Sequence, residues 1–142
     1  MRRVMTDPLF GSVRYGPKLN PGGQAVFLQS AYHTGLANAV LLPYVLAFKR
    51  AAIEEKLTTI ASLLNLPEKD GAAVILWITE LRSKLAIPAT LAELGIEESA
   101  LSDIVALALL DAEHQTNPVS MDAAGFMQIC QNAFAGTIKS DQ

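Results

Sequence analysis

An all-α bundle of five to six helices is the architecture this sequence predicts, and three observations predict it. From Gln24 almost to the end, apolar residues recur with a helical period. No run of useful length alternates apolar and polar residues as a half-buried strand would. The periodic segments are separated by short breaks such as Asn65-Leu66-Pro67 and Asn117-Pro118, which suit helix-to-helix connections. A chain of 142 residues is an ordinary single-domain size and buries roughly 70% of its unfolded surface, so it needs no staple to fold.

Residues 1–22 read as an irregular arm, because Pro8, Gly11, Gly16, Pro17, Pro21 and Gly22 punctuate it before any period is established. A helical domain over residues 23–138 and a tail over 139–142 complete the organisation. The first helix is expected from about Gly23 to Leu42, stopped or kinked by Pro43, which lacks a donor and crowds the preceding turn. Its Ala31, Gly35 and Ala39 form a stripe of small residues, read either as a tight helix or cofactor contact or as ordinary core packing. A second helical stretch runs from Pro43 through Ala51 to Leu64, with Ile53, Leu57, Ile60, Ala61 and Leu64 on one face. Asp70 is the expected N-cap of the next helix. That helix is apolar almost all round (Val74, Ile75, Leu76, Trp77, Ile78, Leu81 and Leu85), which predicts a central position with Trp77 in the core and Glu80, Arg82 and Lys84 on the wet side. Thr90 and Glu93 have capping-box spacing, and Gly95 offers a left-handed stop, predicting a short helix over residues 90–94. Leu101, Ile104, Val105, Ala108 and Leu109 define a further helix behind the acidic Glu97 and Glu98. Ser120 is the expected cap of the last helix, whose inner face is read as Ala123, Phe126, Met127, Cys130 and Phe134.

Composition narrows the function classes. Hydrophobic residues make up 51% and charged residues 18%, which predicts that a partner or a second copy covers some surface. The net charge of −3 divides into +3 over residues 1–20 and −6 over the rest, too weak a basic arm for nucleic acid. A lone Cys130 excludes an intramolecular disulfide and fits a reducing cytoplasm. The run from Ala37 to Phe48 is interrupted by Asn38 and Pro43 and is short for a bilayer span, so a soluble protein with no membrane partner is expected.

The run from His33 through Gly35-Leu36-Ala37-Asn38-Ala39 to Val45 resembles a segment of the iron-containing (group III) alcohol dehydrogenases. Further phrases are similar to the carboxyl-terminal half of that family: Leu85-Ala86-Ile87-Pro88 followed by Leu91 and Leu94-Gly95-Ile96, where the family writes Leu-Gly-Ile-Pro, and Asp111-Ala112 followed by Thr116-Asn117-Pro118, with Val119 where an arginine is usual. The similarity covers roughly residues 24–136. It implies the helical domain of a two-domain enzyme that uses NAD(P) and iron or zinc in alcohol–aldehyde oxidoreduction, the metal polarising the alcohol oxygen and being held by one aspartate and three histidines.

The same resemblance identifies His33 as the candidate metal ligand, with a displacement. The family's ligand stands directly before the Gly-Leu-Ala-Asn phrase, where this chain has Thr34, and one residue is a rotation of about 100° on a helix. His33 is therefore open to three readings: the shifted ligand, a surface or interface histidine, or part of a site completed by another chain. Gln29 to Ala37 also resembles an upstream family helix, so the chain can be read as passing into the Gly-Leu-Ala-Asn helix without the ligand-bearing loop. Two histidines in all, His33 and His114, fall short of the family's set, and no Gly-rich phosphate loop occurs in these 142 residues. His114 reads as a helix-end residue, Cys130 as core, and none of the serines has a nucleophile's setting. The expectation is a domain inactive in isolation, with no catalytic or cofactor-binding residue of its own, that assembles as a homo-oligomer or with a complementary nucleotide-binding chain. The alternative is a non-enzymatic helical module for oligomerisation or partner binding.

Overall fold

The computed structural model describes Thr6–Asp7, Gly11–Ser12 and residues 31–139, with side chains from residue 35 onward except that of Glu113. The arm of residues 1–22 and the expected start of the first helix thus fall largely outside the described residues. Within the arm, β1 (Thr6–Asp7) pairs antiparallel with β2 (Gly11–Ser12). Four α-helices follow: α1 (Ala31–Leu63), α2 (Gly71–Lys84), α3 (Leu101–Leu109) and α4 (Ala123–Ala135). Two short 3₁₀ segments, Glu98–Ala100 and Ala112–Thr116, bracket α3. The all-α class holds, but the described helices number four where five to six were expected.

The count falls because Pro43 does not end a helix. The two segments expected on either side of it are one helix of 33 residues. Proline in a helix interior forfeits one hydrogen bond and costs about 3 kcal/mol, yet Val40, Pro43, Tyr44 and Val45 are all fully or nearly fully buried at this point, so packing holds the helix through the defect. A side chain assists: Arg82 Nη1 donates to the Val40 carbonyl at 3.0 Å, in the turn the proline ring crowds. The Arg82 guanidinium also lies 5.6 Å from the Tyr44 ring centroid, and Tyr44 Oη donates to the Ala89 carbonyl at 2.6 Å. Arg82, expected on the wet side of α2, is only 6% exposed. It lies at i, i+4, i+8 with Val74 and Ile78, on the stripe that faces α1, and its aliphatic stem packs there as an apolar residue would.

Helix α2 runs antiparallel to α1 and packs chiefly on it. Gly71 begins α2 where α1 passes closest: a Cβ there would stand 2.6 Å from Glu54 Oε2 and 2.8 Å from Leu57 Cδ1, and the Gly71 N–H donates to Glu54 Oε1 at 2.7 Å. Asp70 is the N-cap, accepting from Ala73 N at 2.8 Å. Among the described elements α2 packs chiefly on α1 alone and is peripheral: Leu76 and Leu85 are about 60% exposed and Trp77 is half-buried. The expectation of a central α2 with Trp77 in the core is thereby corrected; its apolar circumference exceeds the surface that α1 can cover.

Both α1 and α2 end in Schellman closures that the sequence spells as X-Leu-Pro and X-Ile-Pro. At the end of α1, Leu66 N donates to Ala61 O and Asn65 N to Ser62 O, with Asn65 left-handed at φ 53°. At the end of α2, Ile87 N donates to Arg82 O and Ala86 N to Ser83 O, with Ala86 left-handed at φ 55°. The loop that follows realises the capping box as hydrogen bonds, Glu93 N to Thr90 Oγ1 and Ala89 N to Glu93 Oε2, but it closes as turns over residues 91–95, not as a helix. Gly95, at φ 81°, makes the left-handed stop.

The main core joins Val40, Tyr44 and Val45 of α1 to Leu91, Leu101, Val105, Met121 and the inner face of α4. That face is Gly125, Phe126, Ile129, Cys130 and Ala133; Ala123 is exposed, and Met127 and Phe134 are only partly buried. Asp122, not Ser120, caps α4, accepting from Gly125 N at 2.7 Å. A smaller core of Leu57, Ala61 and Val74 sits at the far end of the α1–α2 pair. Over Gly35–Leu63, α1 is long and apolar enough to cross a membrane by length and composition, an 18-residue stretch of it having mean hydropathy 1.4. The argument from the shortness of Ala37–Phe48 therefore does not stand. In this fold the helix is the shared wall of both cores.

Candidate functional site

The Gly-Leu-Ala-Asn phrase occupies the first turns of α1. His33 belongs to the backbone of that helix, and its side chain lies outside the described residues. Gly35 is exposed, and nothing stands within 4 Å of where its Cβ would be, so the small stripe makes no close contact there. Ala37 and Val40 turn inward, and Asn38 is half-buried.

The second polar constellation is at Ala112–Thr116 and the loop after it. His114 Nδ1 hydrogen-bonds to the Asp111 carbonyl. The imidazole meets Phe126 edge-on, centroids 5.8 Å apart at 74°. Asn117 Nδ2 donates to the His114 carbonyl at 2.9 Å while its Oδ1 accepts from Lys49 Nζ. Lys49 is 4% exposed, so the Thr-Asn-Pro loop is fastened to α1 through a buried ammonium. This network organises a loop, consistent with the structural reading of His114.

Cys130 is buried on α4, and burial pushes its thiol up to about 11, leaving it neutral and unreactive at physiological pH. An open groove of about 720 Å³ lies along the outer side of α2, between Leu66, Leu76 and Ile138, with Trp77 in its wall. It includes no residue of the Gly-Leu-Ala-Asn turns, and its Asp70 is already committed to the α2 cap.

Comparison with known proteins bears on what these elements descend from. The model of the Fe-containing alcohol dehydrogenase family, C-terminal, matches residues 26–134. The chain belongs to this family. It is 28% identical over 116 residues to 4-hydroxybutyrate dehydrogenase of Cupriavidus necator, covering 79% of this chain and 30% of that protein. It is 34% identical over 106 residues to 1,3-propanediol dehydrogenase of Klebsiella pneumoniae, covering 70% and 27%. It is 32% identical over 111 residues to NADPH-dependent butanol dehydrogenase of Clostridium saccharobutylicum, covering 72% and 29%. The chain thus spans about 30% of the length of the curated relatives it matches. No solved structure matches it significantly.

The iron of the family name needs at least three histidine, cysteine or carboxylate donors converging on one point. Among the described residues no three such side chains come together. His114 is the one described imidazole, set in a loop network against Phe126. The described donors do not fit the metal.

The two buried cations, Arg82 and Lys49, were the residues that sequence reasoning missed. The signal for Arg82 lies in its register with Val74 and Ile78, which places it on the buried stripe despite its charge. Lys49 follows Val45 at i+4 in the same manner.

Proposed function

We propose that this domain does not by itself carry the metal-assisted, NAD(P)-dependent alcohol–aldehyde oxidoreduction after which its relatives are named. It works instead in a larger assembly, with further copies of itself or with a nucleotide-binding chain. The observation that carries the reading is the donor set: two histidines in 142 residues, Thr34 in the position directly before Gly35, and no convergent triad among the described residues. The test is oxidation of 1,3-propanediol, butanol and 4-hydroxybutyrate with NAD or NADP after loading with iron or zinc, alongside elemental analysis of the purified chain. No turnover above blank and no stoichiometric, chelator-resistant metal are expected. Either one would overturn the reading.

Exposed leucines favour the second reading, a helical module for oligomerisation or partner binding. Leu63, Leu76, Leu85 and Leu110 are each 60% exposed or more, an apolar display that a covering partner would remove from water. Sedimentation at micromolar concentration is expected to give a species heavier than the 15.2 kDa monomer, and a clean monomer would remove that support. A soluble, cytoplasmic protein with no nucleic-acid or membrane partner fits the lone buried cysteine, the weak basic arm and the packing of α1 as a core helix.

A further inference from the structure

Arg82 is a buried cation whose charge nothing described neutralises. Its side chain leaves α2 in the last turn and lies under α1, 6% exposed. Of its five N–H donors, the structure engages one nitrogen, Nη1, on the Val40 carbonyl, while the Tyr44 ring supports the plane of the group. The ion pair formed among the described residues, Arg50 with Glu54, stands near the opposite end of α2, where Glu54 also accepts from Gly71 N. A buried guanidinium without a countercharge keeps a large desolvation cost unless an anion reaches it.

The free part of the group has a defined shape. With Nη1 turned to Val40, the Nε–Nη2 side remains, and this edge presents two parallel N–H bonds at the spacing of the two oxygens of a carboxylate. Neither nitrogen is among the described side-chain atoms that are both sealed from solvent and without a partner, so each keeps a little contact with solvent. Held by Val40 and Tyr44, the guanidinium is already oriented, so a ligand bears little of the ordering cost.

We infer that the Nε–Nη2 edge of Arg82 is a binding site for a small carboxylate, one oxygen on each nitrogen. The site requires no metal and no nucleotide, so it stands apart from the question of catalysis. It also differs from the groove along α2, whose lining does not include Arg82.

The test uses the full chain, with acetate as probe and chloride as the reference at constant ionic strength. Arginine Nε–H resonances are followed, the Arg82 signal being assigned by its loss in Arg82→Lys. A saturating shift of the Arg82 Nε–H with acetate is expected, while the Arg50 signal drifts no more than in chloride. In parallel, acetate should raise the midpoint of thermal unfolding above that in chloride, an increment reduced in Arg82→Lys by about tenfold weaker binding, since an ammonium cannot make the two-toothed contact. A drift that does not saturate in wild type overturns the site, however the variant folds. A shift that saturates with inorganic phosphate and not with acetate overturns the carboxylate assignment.

Discussion

Replacing Arg82 with methionine tests the reason α1 survives its proline. The change keeps an unbranched stem of similar length on the α1-facing stripe of α2 but removes the donor to the Val40 carbonyl and the cation over the Tyr44 ring. A hydrogen bond from a charged donor contributes about 1.5–3 kcal/mol, and a partly desolvated cation–π contact about 0.5–1 kcal/mol. Against this, methionine relieves the desolvation of a buried charge, an effect that in other proteins makes such replacements neutral or even stabilising. Because the guanidinium makes its hydrogen bond at a crowded turn, we expect a net loss of about 2 kcal/mol. For a domain of this size that lowers the unfolding midpoint by roughly 6–8 °C. Urea denaturation followed by far-ultraviolet circular dichroism should show a lower midpoint at unchanged slope. The decisive comparison is a double-mutant cycle with Pro43→Ala, which restores the helical donor to the Ala39 carbonyl, one residue before the carbonyl that Arg82 engages, and removes the ring that crowds this turn. If Arg82 compensates the proline, the cost of Arg82→Met should fall by at least about 0.5 kcal/mol in that background. A cost below about 0.5 kcal/mol in the wild-type background, or one indifferent to Pro43, would refute the reasoning.

Two further outcomes follow from local geometry. Ala86 is left-handed at φ 55° where the family phrase carries glycine, so Ala86→Gly should stabilise the chain by up to about 1 kcal/mol, read as a higher urea midpoint, while the same change at the exposed, right-handed helical position Ala106 should destabilise it. Cys130 has its thiol raised from 9.0 to about 11 in the fold, so below pH 9 both states are protonated and its contribution is intact. Between pH 9 and 11 the unfolded thiol ionises first, and stability should fall by about 1.4 kcal/mol per pH unit. Cys130→Ala should flatten that part of the profile, and an unchanged slope would locate its cause elsewhere.

The helical class, the Asp70 cap, the left-handed Gly95, helix α3 and the buried cysteine were legible because each rests on a rule with a range of four or five residues. Periodicity, a cap side chain and the next backbone N–H all lie within one turn of one another. The candidate site was legible only as ancestry. The Gly-Leu-Ala-Asn phrase and the Thr-Asn-Pro loop pointed to the family, whose model matches residues 26–134, but spacing along the chain could not say which donors converge. Ser120 is the cap expected from the sequence, but Asp122, two positions on and equally eligible by residue type, takes that place, because the backbone at Asp122 is extended at φ −102° and ψ 179°.

What the sequence determined by itself, then, was the kind of element at each position and the family it came from. What only the tertiary structure decided was where each element ends and which side it hides. Pro43 breaks a helix in isolation, but here a buried turn and a donor from residue 82, far along the chain, hold it continuous. The apolar circumference of α2 predicts burial on every side, but among the described elements α1 covers one stripe, and that stripe includes an arginine. In both cases the deciding free energy comes from contacts 17 to 42 residues apart, and no local pattern records such a contact.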